Sequence, residues 1–255
     1  MFSNRYIFIY ASVMVIIVAA VLSAASQLLK PYQEMNVKNE KFQGILSAAE
    51  VKVPRNDAGE NYTKYIVEEL AIDQEGNIVS RYANGKQELG EVRPFDIVLK
   101  EMLRLKQDAT EKSNSAKPIW PLYIMEKDGK RQYIVPLYGV GLWGPIWGNI
   151  AFESDFNTVA GTFFDHKSET PGLGAEINEV WFQEEFKGKQ IFDQNNEFVS
   201  IKVVKGGVAN SAVPPAHGVD AISGGTITSN GVSEMLANCL ENYVPFIKKN
   251  IQSHE

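Results

Sequence analysis

Cysteine is all but absent: Cys239 is the only one in 255 residues. One thiol excludes an intramolecular disulfide, an iron–sulfur cluster and a cysteine zinc site built within the chain. No cysteine lies near residue 25, which also excludes a lipoprotein anchor. Histidine is nearly as scarce, and His166, His217 and His254 lack the spacing of a metal-ligand pair. Basic blocks are missing too. Lys and Arg number 25 against 31 Asp and Glu, the formal net charge is -6, and no basic stripe interrupts the chain, so no nucleic acid is expected as a partner. There is no nucleophile–base pair and no Walker loop. Gly139, Gly141 and Gly144 have the bare spacing of a dinucleotide fingerprint but lack its strand–helix context, and Pro145 and Trp147 would spoil a helix start. Any redox chemistry has to come from an organic cofactor.

Charge is also missing between Arg5 and Lys30, where Tyr6 to Leu29 is mostly Ile, Val, Ala, Leu and Met. That length spans a bilayer as a helix. A cleaved signal peptide is the other reading, with Ser23-Ala24-Ala25 as the cleavage site, although the apolar run exceeds a usual signal core. Arg5 before the run against Lys30, Lys38 and Lys41 after it leaves the orientation open. Beyond it, Leu28, Tyr32, Met35, Phe42, Ile45 and Leu46 recur at helical spacing, so the membrane helix is expected to continue as a stalk to about Ala49.

The remainder, about 200 residues, is ample for one core. Strands are expected at Tyr65 to Ile72 and Ile78 to Tyr82, a short helix at Pro94 to Leu105, and a surface loop at Gln107 to Lys117. Leu122 to Glu126 and Gln132 to Leu137 flank Asp128-Gly129, a strong hairpin signal. A second hairpin is expected from Gln190 to Phe192 and Phe198 to Val204, with further strands at Trp147 to Phe152 and Thr158 to Phe164. Strands adjacent to strands, with helices near the ends, predict an α+β fold around a largely antiparallel, bent sheet.

The chemistry concentrates near the C-terminus. Asp220-Ala-Ile-Ser223-Gly224-Gly225-Thr226-Ile-Thr228-Ser229-Asn230 precedes an amphipathic helix on which Val232, Met235, Leu236, Cys239, Leu240 and Tyr243 share one face. Two glycines allow close backbone approach, four hydroxyls can donate, and the helix start offers unpaired N–H groups and a positive dipole end. Ser229 or Asn230 is expected as the N-cap. The same residues also read as a plain loop and cap. Cys239, on the apolar stripe, reads as a buried structural thiol.

Asp220-x-x-Ser223-Gly224-Gly225-Thr226-x-Thr228 resembles the flavinylation motif, Asp-x-x-Ser/Thr-Gly-Ala-Thr-x-Ser/Thr, of bacterial FMN-binding domains, with Gly225 where alanine is usual. Glu169-Thr170-Pro171-Gly172-Leu173-Gly174-Ala175-Glu176-Ile177 and Gly141-Leu142-Trp143-Gly144-Pro145-Ile146-Trp147-Gly148 are similar to blocks of the NqrC family, the C subunits of sodium-translocating NADH:quinone oxidoreductases. The three blocks occur in the family's order behind one apolar segment.

The resemblance implies FMN esterified through its phosphate to Thr226, supported by Ser223, Gly224, Gly225, Thr228 and Asp220. An isoalloxazine ring needs flat apolar walls and close backbone. Trp143, Leu142, Leu173 and Gly172 are the candidate ring contacts, with Thr170 and Glu169 as polar neighbours and His166 as a surface or supporting histidine. Glu169 reads as a carboxylate that fixes its own turn. The resemblance further implies an electron carrier that partners the other subunits of a membrane redox complex and needs a flavin transferase for maturation. It also implies a single-pass inner-membrane protein: residues 1–5 cytoplasmic, 6–29 spanning, 30–50 a stalk, and 51–255 an FMN-binding domain outside the cytoplasm. The G subunit of the related RNF electron-transport complex shares the anchor and motif, and a non-redox, membrane-anchored binding or assembly protein is the reading from a different class.

Overall fold

A computed structural model describes residues 3–112 and 117–250. The apolar run and the stalk form one helix, α1 (Asn4–Ala48), whose start is capped by Ser3 accepting from the Tyr6 N–H at 3.3 Å. The helix is long and apolar enough to cross a membrane. Only its C-terminal part is buried, through Phe42, Gly44, Ile45, Leu46 and Ala48. A short helix, α2 (Ala58–Tyr65), turns back against it and leads into the sheet. No strong pattern announces α2, because only Ala58 and Tyr62 of its eight residues are buried.

Seven strands follow: β1 (Ile66–Ile72), β2 (Ile78–Ala83), β3 (Lys86–Leu89), then, after helix α3 (Leu99–Lys112), β4 (Trp120–Lys127), β5 (Lys130–Val140), β6 (Pro145–Phe152) and β7 (Val159–His166). They form one antiparallel sheet in the order β3-β2-β1-β4-β5-β6-β7, bearing out the α+β fold with its largely antiparallel sheet. Its ladders shift register near Ile72, Ile66, Arg81 and Phe152, and such bulges bend strands. Asp128 and Gly129 take φ values of 52° and 76°, as the tight β4–β5 turn requires. After β7 come a short helix, α4 (Val180–Glu184), strands β8 (Lys202–Val204) and β9 (Gly218–Asp220), then α5 (Thr226–Leu240) and α6 (Val244–Asn250).

Strand alternation divides the core into two layers. Leu122, Ile124, Val135, Ile150 and Phe152 face one side, where they pack with Val232, Leu236 and Cys239 of α5. Tyr123, Met125, Ile134 and Ala151 face the other, against Phe42, Ile45 and Leu46 of α1 and Tyr62 of α2.

Three local expectations are corrected. Residues 107–112 belong to α3, not to a loop, while 113–116 lie outside the described residues. Its packed residues Leu99, Met102 and Leu103 start the helix, and adding residues to an existing helix costs little. The hairpin expected from Gln190 to Val204 is reduced to one bridge, Phe192 to Phe198, because β8 pairs in parallel with the distant β9. The last helix begins at Thr226 with Gly225 as its cap, several residues before Ser229 and Asn230.

Candidate functional site

The three sequence blocks meet in space at one carboxylate. Glu169 is 5% exposed; its Oε1 accepts the Trp143 N–H at 2.8 Å, and its Oε2 accepts the Thr228 hydroxyl at 2.6 Å. Glycine makes room for it on both sides. A β-carbon on Gly141 would stand 2.6 Å from Glu169 Oε1, and one on Gly174 would stand 2.6 Å from Oε2. His166 supports the arrangement from behind, its Nδ1 accepting the Glu169 N–H at 3.2 Å, while its buried Nε2 has no partner among the described residues.

Each block contributes a different part. Gly141 to Gly144 is the β5–β6 turn, closed by the Gly141 N–H donating to the Gly144 carbonyl at 2.8 Å. Leu142 and Trp143 stand at its tip, 48% and 65% exposed, and the Ser168 hydroxyl donates to the Trp143 carbonyl. Trp147 is elsewhere, half-buried in β6 in a groove that also includes Val37 and Gly44 of α1. The second block is a turn in which the Leu173 and Ala175 N–H groups both donate to the Thr170 carbonyl at 3.1 Å. Glu176 accepts from the Gly172 N–H at 3.1 Å and from Trp181 Nε1 at 3.4 Å, which ties the turn down from outside.

The third block starts α5. Gly224 has a φ of 74°, and a β-carbon there would lie 2.6 Å from Leu173 Cδ2, so Leu173 lies directly on this glycine. At Gly225 a β-carbon would meet Ile222 Cγ2 at 3.0 Å and the Leu173 carbonyl carbon at 3.3 Å. Glycine there spares Ile222 and the Leu173 turn a shift of a few tenths of an ångström. No side chain caps α5, so the N–H groups of its first turn are left for an outside acceptor.

The two motif threonines are held differently. Thr228 is 1% exposed and committed to Glu169. Thr226, one residue past the cap, is only partly buried and its hydroxyl has no hydrogen-bond partner among the described residues. Ser223 and Gly224 are exposed beside it. Asp220 points away: its Oδ1 accepts the Val208 N–H at 2.8 Å and braces that loop. Ser229, expected as a cap, is buried and accepts the Ile222 N–H at 3.2 Å.

Four contributors escape the sequence reading. Gly141 and Gly174 are backbone room for Glu169. Glu176 lies inside a family-like block without an assigned role. Ile227 is 57% exposed in the first turn of α5 beside Thr226, in the gap between two motif positions. Leu142, Trp143, Leu173 and Ile227 are thus exposed apolar side chains on the three segments that Glu169 joins, beside a helix N-terminus. Such a face suits a flat ring and a phosphate.

Residues 141–241 match the family model of the FMN-binding domain. The chain is 32% identical over 218 residues to the C subunit of the Na(+)-translocating NADH-quinone reductase of Haemophilus ducreyi, covering 85% of this chain and 82% of that one. With the protein of the same name from Vibrio anguillarum it shares 32% identity over 240 residues, 92% and 90% of the two chains. A crystal structure of the C subunit of the Na(+)-translocating NADH-quinone reductase from Parabacteroides distasonis superposes with a TM-score of 0.70 at 40% identity, covering 86% of this chain and 96% of that one. NqrC of Shewanella oneidensis gives 0.62 at 27% identity, with coverages of 85% and 98%.

Proposed function

The chain belongs to the NqrC family, the C subunits of Na(+)-translocating NADH-quinone reductases, and from that premise we propose that it carries one FMN esterified through its phosphate to Thr226. As a member of that family it is a subunit of an oxidoreductase complex, and its part is FMN-based electron transfer among that complex's other subunits. Bound FMN supplies reversible electron uptake and release. This chain's residues have three tasks: to hold the phosphate, to wall the ring, and to limit water around it.

The observation that carries the linkage is the contrast between the two threonines. Thr228 is buried and its hydroxyl is committed, whereas Thr226 is accessible and its hydroxyl uncommitted among the described residues. The free N–H groups at the start of α5 and the positive end of the helix would stabilise the phosphate charge. Gly224 and Gly225 let the backbone approach. Trp143 and Leu142 on one turn, with Leu173 and Gly172 on the other, would contact the ring, and Glu169 and Thr170 would hold those turns in place.

The same reading makes α1 a membrane anchor, with residues 6–29 in the bilayer of the inner membrane, 30–50 a stalk, and 51–255 outside the cytoplasm. Its support is the uncharged run of spanning length and the buried seat of the helix's far end against the sheet. In this reading maturation takes a flavin transferase, since the Thr226 hydroxyl has no hydrogen-bond partner among the described residues. Flavin fluorescence in a denatured gel band tests the linkage: a fluorescent band supports it, and a dark band from protein that was yellow before denaturation counts against it.

A further inference from the structure

Trp147 belongs to a family-like block, yet it stands away from the proposed flavin face, in a groove on the α1 side of the sheet. The floor is a set of cross-strand neighbours. Tyr138 of β5 pairs with Trp147 of β6, Pro136 with Asn149, and Asn149 in turn with Phe163 of β7. Helix α1 contributes Val37, Lys41 and Gly44 to the lining, and the entry to α3 contributes Ile97, Val98 and Lys100. The groove encloses about 490 Å³, enough for a small organic molecule.

Polar groups in this lining are left over. Asn149 is 8% exposed, and its amide makes no hydrogen bond among the described residues. It reaches across to α1, where a β-carbon on Gly44 would stand 3.3 Å from Asn149 Nδ2. Tyr123, also in the lining, is fully buried with a hydroxyl that has no partner among the described residues, and burial pushes its pKa well up, so it stays a donor. Native proteins keep few such unpaired buried groups, because each is costly. Positive charge is left over too. Lys41 donates to the Phe95 carbonyl but to no carboxylate, and Lys100 makes no ion pair among the described residues. Glu40, the acid of the lining, is already paired with Arg55 at 3.4 Å. Burial lowers the pKa of Lys41 to about 8 even though Asp96 and Glu69 pull it up, as expected of an ammonium that lacks a close anion.

We propose that this groove binds one amphiphilic carboxylate, with its apolar body against Trp147 and Tyr138 and its head group accepting hydrogen bonds from Asn149 and Lys41. The site is separate from the flavin face and does not rest on that reading. The unpaired side chains call for a ligand rich in acceptors, the two lysines call for an anion, and the aromatic floor calls for an apolar body. A peptide strand fits poorly, since β5 and β6 are each paired on both sides and offer it no main-chain partners. With α1 read as the anchor, Lys41 stands about 18 Å past Leu29 at about 1.5 Å per residue, out of reach of a phospholipid whose chains stay in the bilayer. The ligand is therefore a free alkyl or aryl carboxylate.

The test uses the full flavin-loaded chain in nanodiscs, titrated calorimetrically with naphthoate, octanoate and the uncharged naphthamide, with empty nanodiscs as the blank. The expected result is one carboxylate per chain with a Kd below about 1 mM, and binding of naphthamide at least about tenfold weaker. Tighter naphthoate assigns a flat ring to the body, and tighter octanoate an alkyl chain. Lys41→Met and Asn149→Leu should each weaken carboxylate binding about tenfold or more. Asn149→Leu removes an amide with no internal partner, so thermal stability should hold while affinity falls. Lost stability with unchanged affinity would make Asn149 a structural residue and overturn the site. No heat above the blank, equal affinity for naphthoate and naphthamide, or unchanged affinity in Lys41→Met would each overturn it as well, and Lys41→Met decides alone if Asn149→Leu does not fold.

Discussion

Two buried carboxylates on opposite layers of this molecule are satisfied in different ways. Glu69, 2% exposed on the side of α1, is matched by charge: it accepts two hydrogen bonds from Arg93, one from the Tyr62 hydroxyl at 3.0 Å and one from the Phe95 N–H at 3.2 Å. The Glu69 hydrogen bonds hold the Arg93 guanidinium well above its ordinary pKa, and burial, reinforced by Tyr123 and Glu69, pushes the Tyr62 phenol up. Glu169, 5% exposed at the proposed flavin face, has no ion-pair partner among the described residues and rests on a hydroxyl and a backbone N–H. A buried carboxylate without a cation is costly to keep. The first locks the framework at the root of α1; the second joins the loops proposed to face the flavin.

The comparison can be broken in several places. Glu69→Ala leaves Arg93 with no carboxylate beside it and should cost about 3–5 kcal/mol of stability while leaving the flavin spectrum of surviving protein unchanged. Chemical denaturation and absorption of the same sample check both halves. Lys41 belongs to the same layer: its ammonium donates to the Phe95 carbonyl, and burial lowers its pKa to about 8 despite Asp96 and Glu69. Between about pH 8 and 10.5 the unfolded chain then binds the extra proton, so stability should rise across that window by up to about 3 kcal/mol. The cost is present in full below pH 8. Thermal denaturation should show this gain in the wild type and lose it in Lys41→Met.

At the other carboxylate, Glu169→Gln keeps the shape but loses one acceptor, at a cost of about 1–3 kcal/mol. It should also shift flavin absorption, because both turns proposed to face the ring loosen. Lost stability with an unchanged spectrum would make Glu169 a framework residue like Glu69. Trp143→Ala and Leu173→Ala remove exposed side chains and should change stability by about 0.5 kcal/mol or less. Their effect should appear in the flavin potential, measured by redox titration, and an unchanged potential in both variants would remove them from the ring.

What is legible in the sequence is local. The Asp128-Gly129 turn, the stalk repeat through Phe42 and Leu46, and the apolar stripe from Val232 to Tyr243 each declare themselves within a few residues. Cys239 reads correctly as a core thiol, and burial pushes its pKa up to about 12. The three family-like blocks mark the site before any geometry. What escapes the sequence depends on distant partners. Only folding brings Arg93 to Glu69, 24 positions earlier, and β9 to β8. The helix start is misplaced because Gly225 caps it without a side chain, while the hydroxyls of Ser229 and Thr228, read as cap and phosphate ligand, turn inward to the Ile222 N–H and Glu169.

The most direct measurement of the central claim is peptide mass spectrometry of the mature protein and of two variants, Thr226→Ala and Thr228→Val. The account predicts an FMN adduct on Thr226 that is absent from Thr226→Ala and still present, in a less stable protein, in Thr228→Val. An adduct on Thr228, or one that survives Thr226→Ala, would contradict it.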